Sequence, residues 1–284
     1  MIKILQKIAV AALLIALVFN FTSCSTQFVL SDGNDLNLDG YELVFCDEFD
    51  GDTLDTSVWE YRNLGQLRRH GSTLNEIKYM DSFNHAGQVS VEDGHLLIKG
   101  SYTTSDYGEG WHTASIRIKE FYTRGYFEIR CIPNDSEDFW SAFWLQSPSS
   151  YDHETSKGGV GGAEIDVFET YKNHDITTKN FVTSTIHCNG SDELPNNVDS
   201  HRVSKTYIKG LHSGYTTFGV MWTEEEYIFY VNGQETGRTS FANGTSCVPE
   251  EVIISLCAPE TIDLDKDVTT QFIVDYVKIY QLSE

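Results

Sequence analysis

Positive charge is what this sequence has least of. Lysine and arginine number 20 against 42 aspartates and glutamates over 284 residues, a formal net charge of −22. A field of that sign repels nucleic acid and anionic lipid, and it fits a neutral substrate better than a strongly sulfated one. Proline is sparse too, at five residues. Beyond the first residues, no segment holds a helical period over about 12 positions. No C-x-x-C spacing suggests a metal finger, and no nucleotide, flavin or haem signature appears, so catalysis is expected to need no cofactor.

The long apolar run, residues 8–18, is too short to span a bilayer. It follows Lys3 and Lys7 and leads into Phe21-Thr22-Ser23-Cys24. That order reads as a secretory signal over 1–23. The cysteine after small residues resembles a bacterial lipoprotein signal, with Cys24 as the acylated residue. Residues 24–40 are polar and are expected to be a flexible, lipid-anchored tether. Residues 41–284 are expected to form one domain, a monomer held at the bacterial cell envelope and touching membrane only through its anchor. Without residues 1–23, two lysines among them, 261 residues remain with 18 basic and 42 acidic side chains, a net charge of −24. Besides Cys24, the cysteines are Cys46, Cys131, Cys188, Cys247 and Cys257, an odd set that cannot all pair. Cys131 and Cys188 suit buried thiols, and a Cys247–Cys257 bridge across a hairpin stays open.

Past the tether, alternating, β-branched or aromatic runs dominate: 41–45, 89–91, 95–99, 115–119, 125–132, 141–145, 164–168, 181–188, 217–222, 227–231, 251–256 and 271–280. Turn residues punctuate them, notably Asp93-Gly94, Asn189-Gly190 and Asn232-Gly233. Many short strands with frequent turns predict an all-β, two-sheet sandwich with no internal repeat.

The stretch Gly162-Ala163-Glu164-Ile165-Asp166-Val167-Phe168-Glu169 carries the chemistry. Strand side chains alternate faces, so Glu164 and Asp166 share one face and Glu169 would point to the other, where an unpartnered carboxylate is costly. A one-residue β-bulge would bring Glu169 back to the face of the first two. Glu164 and Glu169 would then stand four strand steps apart, about 13 Å between Cα atoms. Two glutamates leaning inward on a concave sheet can bring their carboxyls to roughly 5–6 Å, the spacing of a retaining glycosidase. One carboxylate attacks the anomeric carbon. The other protonates the leaving oxygen and later activates water. Asp166 between them would hold the nucleophile and raise its neighbours' proton affinity. The bland alternative is a solvated acidic strand face. The interleaved Ile165, Val167 and Phe168 argue for a packed strand instead. Sugars offer flat apolar faces, so aromatic platforms are needed. Trp144, Trp140 and Trp111 are candidates, although a core also absorbs aromatics.

Glu-Ile-Asp-Val-Phe-Glu at 164–169 resembles the bulged E-x-D-x-x-E signature of glycoside hydrolase family 16, found in laminarinases, agarases, carrageenases and endo-β-galactosidases. Asp47-Glu48-Phe49-Asp50-Gly51 with Trp59, Gly125-Tyr126-Phe127-Glu128-Ile129-Arg130, Ser141-Ala142-Phe143-Trp144-Leu145 and Val274-Asp275-Tyr276-Val277-Lys278-Ile279-Tyr280 resemble four further family segments in order. The resemblance implies a concanavalin-like β-jelly-roll sandwich with a concave substrate cleft, Glu164 as nucleophile and Glu169 as acid/base. It further implies substrate contacts from Trp144, His187, Asn75 with Glu76, and Arg117. A structural calcium would sit on Glu48, Asp275 and a carbonyl near Gly94. Residues 146–163 would wall the cleft.

Where laminarinases have a W-P-A-F-W-M-L-type segment, this chain reads Trp140-Ser141-Ala142-Phe143-Trp144-Leu145-Gln146. That departure, with the long loop before Glu164, resembles the branch acting on β-galactosides of host O-glycans and poly-N-acetyllactosamine. The expectation is an endo-β-1,4-galactosidase, with an endo-β-1,3-glucanase as runner-up. A non-catalytic lectin on a similar sandwich is the rival of another class. A lectin needs no trio of acids, and all three are present.

Overall fold

A computed structural model describes residues 36–62, 77–81, 87–105, 108–136, 139–147, 159–170, 180–191, 194–241, 244–257 and 265–283. The expected signal segment, Cys24, Asn75, Glu76 and most of the 146–163 loop lie outside the described residues.

Sixteen strands are described. The first six are β1 (Tyr41–Asp47), β2 (Trp59–Tyr61), β3 (Ile77–Asp81), β4 (Val89–Glu92), β5 (His95–Ser105) and β6 (Gly108–Ile118). Next come β7 (Gly125–Ile132), β8 (Trp140–Gln146), β9 (Glu164–Glu169), β10 (Phe181–Ser191) and β11 (Leu194–Tyr207). The chain closes with β12 (Thr216–Trp222), β13 (Tyr227–Val231), β14 (Gln234–Thr239), β15 (Glu251–Cys257) and β16 (Thr269–Leu282).

They form the expected jelly-roll sandwich. The front sheet runs β11-β10-β9-β8-β15-β6 and the back sheet β5-β16-β7-β12-β13-β14. β6 belongs to both. Residues 108–112 pair with β5, whereas 115–117 pair with β15 in the front sheet. β7 shows the pattern that builds the sandwich: Phe127, Ile129 and Cys131 are fully buried in the shared core, while Tyr126 joins a separate cluster on the outer face. Phe168 of β9 stacks on Phe218 of β12, ring centroids 4.1 Å apart, and ties one sheet to the other.

Two expected turns are present. Asp93-Gly94 and Asn232-Gly233 all hold positive φ, as two-residue hairpin turns demand. Asn189-Gly190 is not a turn. β10 continues through both and its ladder to β11 runs on to Ser191↔Leu194. The expected tether also ends early: Leu36 is buried against Tyr126, Met221, Tyr230 and Tyr280, and its N–H donates to the Gly233 carbonyl at 3.0 Å. Cys131 and Cys247 carry free thiols, so no Cys247–Cys257 bridge forms.

Candidate active site

β9 lies between β8 and β10. Glu164 stands opposite Gln146 and His187, Asp166 opposite Trp144 and Thr185, and Glu169 opposite Ala142 and Thr183. From Asp166 to Glu169 the chain takes three steps while each neighbour takes two, so one residue is extra. This is the predicted bulge, and it restores the parity that puts all three acids on the open face. Ile165, Val167 and Phe168 fill the core beneath. The Ser184 hydroxyl donates to the Val167 carbonyl at 2.8 Å and so satisfies an acceptor at the irregularity.

Glu164, Asp166, Glu169, Trp140, Trp144 and Ser255 line one hollow. Burial pushes Glu169 well above the usual carboxylate range, with Asp166 and Glu164 adding to it while His187 and Arg202 oppose. Glu169 thus holds a proton where an ordinary glutamate has lost it. Burial, then the charge of Glu164, drives Asp166 up as well. His187 Nε2 lies 3.0 Å from Asp166 Oδ2, and its Nδ1 lies 2.6 Å from the Ser200 hydroxyl. A fourth carboxyl stands at the mouth of β9: Glu250 is fully buried, accepts the Ala163 N–H at 3.1 Å, and is pushed up to about 8 by burial.

Trp144 and Trp140 are therefore where a sugar platform is needed, and His187 stands beside the acids. Arg117 lies in the same cross-strand row as Trp144, with Ile253 between them, and ion-pairs with Glu60 and Glu251. Trp111 does not reach the hollow. It is buried in the core, edge-on to Tyr102 at 5.3 Å and to Phe139 at 5.6 Å. The reason is that β6 passes from one sheet to the other between Trp111 and Arg117, so the two-residue alternation linking them does not carry through.

Of the calcium candidates, both carboxylates already face protein cations. Asp275 is bonded through Oδ2 to the Arg130 guanidinium, and its Oδ1 lies 3.6 Å from His95 Nε2. Glu48 lies 3.9 Å from the Lys278 ammonium. Carboxylates that already face protein cations offer a divalent ion no negative pocket, so these residues do not fit it.

Sequence reasoning missed two residues. Gln146 donates from Nε2 to Glu164 Oε2, and Arg62 donates from Nη2 to Gln146 Oε1. Arg62 also donates from Nε to Glu251 at 2.8 Å and lies over the Trp144 ring, 4.8 Å from its centroid. The position of Gln146, two residues past Trp144 and hence on its face, was a readable signal. Nothing in the sequence around Arg62 marks it.

The family model described as "Beta-porphyranase A-D, GH16 domain" matches residues 43–282. Endo-1,3-1,4-beta-glycanase EglC of Rhizobium meliloti is 28% identical over 211 residues, which cover 69% of this chain and 40% of that protein. This chain thus spans less than half the length of that relative. The structure of LamA from Zobellia galactanivorans with laminaritriose and laminaritetraose superposes with a TM-score of 0.65 at 18% identity, covering 84% of this chain and 98% of that one. A structure associated with endo-acting O-glycanases of the human gut microbiota that initiate mucin breakdown gives a TM-score of 0.65 at 20% identity, over 86% and 92%. At those identities the two superpositions establish the fold.

Proposed function

The chain belongs to glycoside hydrolase family 16, and from that premise we propose that it is an endo-acting, retaining hydrolase of β-galactosidic chains. The observation that carries this reading is the convergence of Glu164, Asp166 and Glu169 on one hollow beside Trp140 and Trp144. A carboxylate oxygen of Glu164 forms a bond to the anomeric carbon. The bond to the leaving sugar breaks, and its oxygen takes the proton from Glu169. The ionised Glu169 then removes a proton from water, whose oxygen attacks the same carbon and expels Glu164 as carboxylate. The raised proton affinity of Glu169 suits the first of these duties. Asp166, tied to His187, adds to the raised proton affinity of Glu169.

The substrate reading is an endo-β-1,4-galactosidase acting on O-glycans and poly-N-acetyllactosamine. Gln146 in place of the laminarinase leucine supports it, and the matching family model is named for β-porphyranases and not for glucanases. The similarity to EglC favours a second reading, an endo-β-1,3-glucanase. Incubation with poly-N-acetyllactosamine, mucin O-glycans, porphyran and laminarin separates them. Galactosidic oligosaccharides support the proposal, and laminarin products alone overturn its substrate half. Binding without turnover of any glycan would turn the assignment toward a lectin. The same proposal places the protein at the cell envelope through acylated Cys24. Absence of labelled lipid on a Cys24 that is present in the mature protein removes that element.

A further inference from the structure

Resting on the retaining mechanism above, we propose that Gln146 and Arg62 form a positioning pair that governs the release of the nucleophile in the second step. Gln146 is nearly fully buried, at 6% exposure, and sits directly across the ladder from Glu164. Its amide can point either way, and only one way puts a donor on the nucleophile. Arg62 decides this. A guanidinium has donors and no acceptor, so its Nη2 can be met only by the carbonyl oxygen of Gln146, which turns the NH2 toward Glu164 Oε2. Arg62 is in turn held by Glu251 through Nε, and Glu251 lies 3.7 Å from Arg117 Nε. The chain of contacts fixes one amide orientation at the reacting carboxylate.

The chemical consequence differs between the two steps. A hydrogen bond from an amide is stronger to a carboxylate than to an ester. As Glu164 becomes the glycosyl ester, the Gln146 bond weakens. As the ester breaks and charge returns to the carboxyl, it strengthens. The pair therefore assists departure of Glu164 in deglycosylation more than its attack in glycosylation.

The test uses the glycan that the wild-type protein hydrolyses best among poly-N-acetyllactosamine, mucin O-glycans, porphyran and laminarin. With Gln146→Leu, kcat is expected to fall at least 10-fold while KM falls with it, leaving kcat/KM within about threefold. Intact-protein mass measured after acid quench should then show a glycosyl-enzyme that the wild type does not accumulate. Arg62→Met should give the same ester, and the double variant should be no slower than the slower single one. Gln146→Met repeats the measurement should the leucine variant fold poorly. Unchanged kcat, a KM that rises at constant kcat, or a steady state without ester overturns the inference. If Glu164→Gln is itself fully active, or no glycan is cleaved, the catalytic reading has failed instead.

Discussion

Phe168 and Phe218 face each other ring on ring across the sandwich, 4.1 Å between centroids and 25° between planes, at the point where β9 carries its extra residue. The stack fixes the depth of the bulge from below. Phe168→Ala should cost about 3–5 kcal/mol, the usual range for removing a buried phenylalanine. Phe168→Leu should keep the fold, yet reduce kcat several-fold because Glu169, the next residue, loses its aim. Urea unfolding together with kinetics on the same samples checks both. A leucine variant with full activity would detach the bulge from the chemistry.

Glu169 needs its proton to begin the reaction. Since burial raises its proton affinity, activity should persist above the pH at which an exposed glutamate would have ionised, and fall as pH climbs through its own titration. Glu169→Gln should lower the rate on a natural glycan by roughly 10²–10⁴-fold and abolish the alkaline limb. An aryl glycoside with an acidic leaving group should recover much of the first step. The pH profile of kcat/KM is the measurement, and an unchanged alkaline limb in the variant assigns it to another group.

Trp140, half-buried, and Trp144, buried with its Nε1 bonded to Ser255 at 3.0 Å, both line the hollow. Trp140→Ala should raise KM roughly 3–10-fold with little change in kcat, in line with the loss of one aromatic face. Trp144→Ala should affect both constants, because the ring also underlies Arg62.

Glu250 supplies a pH dependence of stability. Its folded pKa, about 8, lies above the ordinary 4.5, so the folded state holds this proton more tightly than the unfolded chain. The stabilisation is complete below pH 4.5 and is lost as pH rises through about 8. Glu250→Gln keeps an acceptor for the Ala163 N–H and cannot ionise. The melting temperature of the wild type should therefore drop between pH 6 and pH 9 by roughly 5 °C more than that of the variant. Parallel melting curves for the two would place the ionisation elsewhere.

With Arg130 and His95 around Asp275, and Lys278 beside Glu48, a chelator should leave the melting temperature unchanged. A fall of several degrees in EDTA, reversed by calcium, would show that those cations give way to an ion.

Much of the site was legible because one rule, the alternation of strand side chains, runs through it. That rule alone made Glu169 anomalous in a straight β9, and the anomaly pointed to the bulge. Trp111 was a candidate by residue type alone, and the core absorbs it. The alternation rule also says little about strands that carry no apolar face. β14 (Gln234–Thr239) is largely polar, and β11 (Leu194–Tyr207) runs along the edge of the front sheet, paired on one side with β10. Both are strands because a neighbouring ladder recruits them. Arg62 was invisible for a related reason: its importance lies in contacts with residues 84 and 189 positions away.

Leu36 is seated on the outer side of the back sheet, and the catalytic hollow opens on the outer side of the front one. Under the proposed attachment through Cys24, the protein would be held from the face opposite its catalytic hollow.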